Sequence, residues 1–174
     1  RGLRIESKEG LIWNLNSNES RFSGNLSAQK LIDVLPLWGY FPTLDAEEIS
    51  GSLSISWVGN PLELSLSNMV GNGELKAANG RFVEIDSGGS TVRILSLINF
   101  NAITKRLRGD FSDVTGKGLA FDDLTANAEF SDGILIFSRP LEIKGTGSSF
   151  EVNGTVDLNT GILNNEMVVT LPVT

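Results

Sequence analysis

Cysteine and histidine are both missing from this chain of 174 residues. Their absence excludes thiol chemistry, imidazole general-base catalysis, Ser-His-Asp triads and Cys/His zinc sites. It leaves the redox compartment open, since cytosol and periplasm both tolerate a cysteine-free protein. Long apolar runs are also missing, so no segment reads as a membrane-spanning helix. There is no excess of positive charge: 14 Lys and Arg stand against 21 Asp and Glu, for a net charge of −7. Nucleic acid is therefore not an expected partner, and any contact with anionic lipid would have to be local and mostly apolar. The first residue is Arg1 rather than Met, and the chain reads as a fragment of a larger protein.

What the chain does have is glycine and alternation. Its 19 glycines are about 11% of the residues, against an average near 7%, which suits many tight turns. Residues 150–173 alternate almost without error. Phe150, Val152, Val156 and Leu158 fall on one side and Glu151, Asn153, Thr155 and Asp157 on the other; after a polar turn, Met167, Val169, Leu171 and Val173 resume the pattern. That is a strand with one buried and one wet face. The apolar side needs either a second protein layer, as in a sandwich, or a ligand of the same chemistry, and alternation alone fits both.

The same pattern recurs along the chain. Leu11, Trp13 and Leu15 alternate, then Phe22, Gly24 and Leu26, then Leu53, Ile55 and Trp57 between serines. Gly59-Asn60-Pro61 is strong turn chemistry, predicting a hairpin whose second strand carries Leu62, Leu64 and Leu66. Asn79-Gly80 and Asp132-Gly133 both suit type I′ hairpin turns. At residues 134–137 alternation gives way to four apolar residues, predicting a strand covered on both faces. Two segments have helical spacing. In 27–40, Ser27 is the expected N-cap and Leu31, Ile32, Leu35 and Trp38 are spaced for one face, with Pro36 limiting or kinking the helix. In 90–107, Ile94, Leu95, Ile98, Ala102 and Ile103 form a stripe, with Lys105, Arg106 and Arg108 at the C-terminal end. The expected architecture is mainly β: a single domain of about ten or more antiparallel strands with one or two short helices.

No catalytic constellation emerges. Asp122-Asp123 and the cluster Asp45, Glu47 and Glu48, placed before a strand, read as surface charge, since neighbours on a strand point to opposite faces. Asp157-Leu-Asn-Thr-Gly161 starts like a calcium loop but has Ile162 and Val168 where glycine and a bidentate glutamate are needed, so it reads as a hairpin loop. Gly145-Thr146-Gly147 precedes a strand where a phosphate motif requires a helix. Gly88-Gly89-Ser90 reads as a helix cap rather than an anion site. No enzyme activity, metal or cofactor is expected.

Several stretches in order resemble a known family. The strand, turn and hairpin of 55–86 (ISWVGNPLELSLSNMVGNGELKAANGRFVEID), the leucine-rich segment 93–107, GKGLAFDDLTANAEFSDGIL at 116–135 and SSFEVNGTVDL at 148–158 are similar in order and spacing to the C-terminal region of the YhdP family of bacterial AsmA-like proteins, relatives of TamB. Each motif alone is nonspecific, and the resemblance is weaker over the first 50 residues. It implies a curved antiparallel sheet forming an open apolar groove, the AsmA-like repeating β-groove. The implied role is a non-enzymatic carrier that conducts phospholipid between the inner and outer membranes of a Gram-negative envelope. The implied setting is the periplasm, in a full-length protein anchored to the inner membrane outside this fragment, which supplies the membrane contact. Phospholipid acyl chains are then the ligand, lined by Phe121, Phe130, Phe150, Val152, Val156, Met167 and Val169. The alternative is a β-sandwich module of the envelope, structural or binding envelope protein partners, with no lipid ligand.

Overall fold

The computed structural model describes residues 2–29, 31–34, 44–83, 118–160 and 162–171. In chain order these form β1 (Leu3–Glu6), β2 (Leu11–Asn14), β3 (Glu19–Ala28), a single helical turn α1 (Leu31–Val34), β4 (Leu44–Val58), a 3-10 turn (Pro61–Glu63), β5 (Met69–Val83), β6 (Gly118–Ser131), β7 (Ile134–Gly145), β8 (Ser148–Asp157) and β9 (Leu163–Thr170). The nine strands join in one antiparallel sheet whose spatial order is the chain order, with β1 and β2 sharing the flank of β3. Among the described residues β9 pairs only with β8, so the sheet is open rather than closed into a barrel. Of the two expected helical segments, 27–40 is helical at Leu31–Val34 and is otherwise described only at 27–29, where Ser27 and Ala28 close β3. The segment 90–107 lies outside the described residues, as do Gly88, Gly89 and Val173.

Several local expectations are corrected. The predicted strand through Leu62, Leu64 and Leu66 is instead a 3-10 turn and loop, and the returning strand starts at Met69. Pro61 presets a helical φ, and Asn60 and Glu63 cap one another's backbone N–H groups reciprocally, which favours a turn of helix. Leu62 is 95% exposed as a result.

The Asn79-Gly80 pair is not a hairpin either: β5 runs straight through it. Asn79 does take positive φ, at 50°, but as an irregularity inside the strand. The neighbouring strands share it. Buried Ala46 and Ile49 flank exposed Glu47 and Glu48 on β4, and buried Phe121 and Leu124 flank exposed Asp122 and Asp123 on β6. The register Ala46↔Gly80↔Phe121 and Glu48↔Ala78↔Asp123 aligns these breaks in one row. The acidic pairs are therefore both outward, against the expectation of opposite faces, and Asp45, Glu47 and Glu48 lie within β4 rather than before it. Glycine at 80 is required by close approach: a Cβ there would stand 2.4 Å from Cζ of Phe121 and 2.7 Å from the Asp45 carbonyl oxygen.

A further correction concerns residues 134–137. Leu135 pairs with Phe130 and Val156 on the apolar side, whereas Ile136 pairs with Glu129 and Thr155 and is 42% exposed. The run is not covered on both faces. Further along β7 a bulge intervenes, with residues 136 to 141 opposed to only 155 to 152 on β8. Pro140 sits within it, where a missing N–H costs no ladder bond. Asp132-Gly133 behaves as expected, with φ of 52° and 76° closing the β6–β7 hairpin.

Candidate functional site

Alternation, broken only locally at these irregularities, and register together sort the side chains onto two unlike faces. Leu3, Ala28, Ile49, Ala77, Leu124, Ile143, Phe150 and Val169 are cross-strand partners in succession, one from each of eight strands. Every one is apolar. A second unbroken row runs Leu11, Phe22, Ile55, Gly71, Phe130, Leu135, Val156 and Leu163. Shifting the first row by one residue gives Arg4, Ser27, Ser50, Lys76, Thr125, Glu142, Glu151 and Val168, polar but for the last. Such one-residue switching follows from side chains that point alternately to opposite faces.

The polar face is laced by same-strand ion pairs, Lys76 to Glu74 at 2.6 Å and Lys144 to Glu142 at 2.8 Å. The Glu142 hydrogen bond and charge hold the Lys144 ammonium above its ordinary pKa. Exposed pairs of this kind contribute little to stability. A shallow trough of about 450 Å³ lies on this face, lined by Glu6, Asn25, Ser27, Ser50, Ser52 and Lys76 among others. Its hydroxyls and charges suit water rather than hydrocarbon.

On the apolar face the buried side chains form two clusters. The larger includes Ile49, Ala77, Phe121, Leu124, Leu141, Ile143, Phe150 and Val152, with Leu26, Leu75, Met167 and Val169 packed against it. The Phe82 and Phe121 rings meet at 5.3 Å between centroids. The smaller joins Met69, Val156 and Leu158, with Phe130, Leu135 and Leu163 beside them. The seven residues expected to line a groove all belong to these clusters. Phe150, Val152 and Val156 share one face, and Val152 and Phe150 pair directly with Met167 and Val169. They differ in access. Phe121, Phe150, Val152 and Val156 are buried by protein, whereas Phe130, Met167 and Val169 are half-buried. Leu171, expected nearby, lies just beyond β9 and is 40% exposed.

Sequence reasoning missed part of this surface. Phe22, Leu26, Ile55 and Leu75 lie on the same face as the β8 residues. Alternation in β3 and β4 was a signal, but assigning it to the same face as β8 takes the register of every strand between. Asp157 closes the β8–β9 hairpin, as its loop sequence leads one to expect, accepting from the N–H groups of Asn159 at 2.9 Å and Thr160 at 3.0 Å. These bonds, with Thr160 the larger contributor, hold its carboxyl below the ordinary range. Among the described residues no group of three or more acidic, His or Cys side chains could hold a metal ion, and no helix is long and apolar enough to cross a membrane.

No solved structure matches the chain. It is 26% identical over 166 residues to the intermembrane phospholipid transporter YhdP of Escherichia coli strain K12, covering 95% of this chain and 13% of that protein. The chain thus spans about one eighth of its relative's length. The family described as YhdP protein matches residues 3–174. With a match over nearly its whole length, the chain belongs to the YhdP family.

Proposed function

We propose that the apolar face of this sheet accepts phospholipid acyl chains as one section of a longer non-enzymatic conduit between membranes. The observation that carries this reading is the unbroken apolar row, one residue from each of eight strands, in a sheet that does not close on itself. The relative's role as an intermembrane phospholipid transporter supports it. Burying one methylene is worth about 0.8 kcal/mol, so acyl chains are held without a charged anchor. Leucine, isoleucine, valine and phenylalanine make contacts without direction, which lets a chain slide. The half-buried residues Phe130, Met167 and Val169 meet the acyl chains, and Phe121, Phe150, Val152 and Val156 form the floor beneath them. The working location is the periplasm, within a longer protein anchored to the inner membrane. The sandwich alternative lacks a second sheet among the described residues.

A photo-crosslinking residue placed at Met167 tests the proposal, with Glu166, its neighbour on the polar face, as control. Phospholipid adducts are expected at 167 and not at 166. Equal labelling at both positions, or none at 167, would overturn the reading.

A further inference from the structure

The connections from β2 to β3, β4 to β5, β6 to β7 and β8 to β9 all leave from one end of the sheet. They are tied together: Gly59 N–H donates to the Asn18 carbonyl at 2.7 Å and Leu158 N–H to the Gly133 carbonyl at 2.8 Å. This rim holds apolar side chains in solvent, with Leu15 72%, Val58 73% and Leu62 95% exposed, and Leu64 and Leu66 also outward.

Several polar groups of the β4–β5 loop are paired within the loop itself. The Asn60 side chain accepts from Leu62 N–H, the Glu63 carboxylate accepts from Asn60 N–H, and the Asn60 carbonyl accepts from Glu63 N–H. Asn68 closes the second half, accepting from Ser65 N–H at 2.9 Å and donating to the Glu63 carbonyl at 2.8 Å. Such caps stabilise a loop in water as well. A loop that enters a medium of low dielectric must satisfy its backbone internally, because unpaired polar groups are costly there. The loop is also joined to the apolar face: Ser20 Oγ and Trp57 Nε1 on that face donate to the Gly59 and Asn60 carbonyls at 2.8 and 3.0 Å. Residues 13–19, 58–68, 131–133 and 157–163 include no Lys or Arg but do include Glu19, Glu63, Asp132 and Asp157. Attraction to an anionic surface is therefore ruled out as the driving force, and a neutral interface fits. Trp13 is 44% exposed beside this loop, with its indole N–H held by Asn18, an apolar ring with a polar edge as interfaces favour.

We propose that the β4–β5 loop is a bilayer-interface anchor, with Leu62, Leu64 and Leu66 entering the boundary between zwitterionic headgroups and acyl chains and Trp13 and Leu15 beside them. The anchor concerns the rim and does not rest on the apolar face carrying lipid. Because the chain has no cysteine, Leu64→Cys gives a single labelling position for an environment-sensitive fluorophore. Phosphatidylcholine vesicles added to the full chain should shift its emission to the blue, at low and high salt alike, while the same label at Ser54→Cys on the polar face should not respond. The triple variant Leu62→Asn, Leu64→Asn, Leu66→Asn, with its strand spectrum retained, should sediment with vesicles at least about tenfold less. No shift at position 64 would overturn the proposal, as would co-sedimentation of the triple variant equal to the parent. A shift needing anionic phosphatidylglycerol and abolished by salt would do so too. A response to a purified envelope protein but not to vesicles would mark the loop as a protein-docking surface instead. Crosslinking from Met167 reports on the apolar face separately, so the failure of one reading leaves the other testable.

Discussion

Ile143 and Ile136 lie on the same strand, have the same side chain and face opposite ways, so they isolate the contribution of the apolar face. Ile143 is fully buried in the row between Leu124 and Phe150. Ile136 is 42% exposed between Glu129 and Thr155. Replacing isoleucine by alanine removes three carbons, a transfer loss of about 2.4 kcal/mol at roughly 0.8 kcal/mol per carbon. At Ile143 a cavity term adds to it, since neighbours held in a sheet relax only in part, giving an expected loss of about 3–4 kcal/mol. At Ile136 much of the side chain is already in water and no cavity forms, so the loss is about 1 kcal/mol or less. Urea unfolding followed by tryptophan fluorescence measures both, with buried Trp57 as reporter, and the midpoint shift at constant slope gives the difference. Equal losses for the two variants, or a change within about 0.5 kcal/mol for Ile143→Ala, would refute the assignment of faces.

Gly80→Ala should cost about 1–3 kcal/mol, because its Cβ meets the Phe121 ring and the Asp45 carbonyl. Part of that loss should be recovered in a Phe121→Leu background, and purely additive effects in the double-mutant cycle would count against the contact. Asn60→Ala removes the acceptor for Leu62 N–H and should cost about 1 kcal/mol in thermal or urea unfolding; no change would show the cap to be idle. For Asp157, the folded pKa is depressed, so its stabilising contribution is present above the unfolded value of about 3.9 and is lost as pH falls through the folded value. Carboxyl NMR titration should place Asp157 below an ordinary aspartate, and Asp157→Asn should flatten the acid limb of stability. Titration at or above the ordinary value would contradict the turn geometry.

Much of the candidate site was legible in single strands. Phe150, Val152 and Val156 could be placed on one face from the residues between them, because a strand turns successive side chains to opposite sides whatever surrounds it. Asp132-Gly133 could be read as a hairpin because both residues accept the positive φ it needs. The missing histidine and cysteine excluded their chemistry with no structure at all.

Other features depended on neighbours distant in the chain. Asn79-Gly80 carries the same local signal as Asp132-Gly133, yet Asn79 marks an irregularity inside β5. The flanking β4 and β6 residues extend past it and pair on both sides, and no local preference contains that information. The leucines at 62, 64 and 66 alternate like a strand, but Asn60, Pro61 and Glu63 form a capped turn instead. At 134–137 the apolar run looked doubly buried until register set Ile136 against Glu129 and Thr155. Alternation within each strand was thus decided by covalent geometry. The joining of eight strands into one apolar face was decided by turn lengths, bulges and hydrogen-bond register, because a slip of one residue in any strand would turn its whole apolar set to the opposite side.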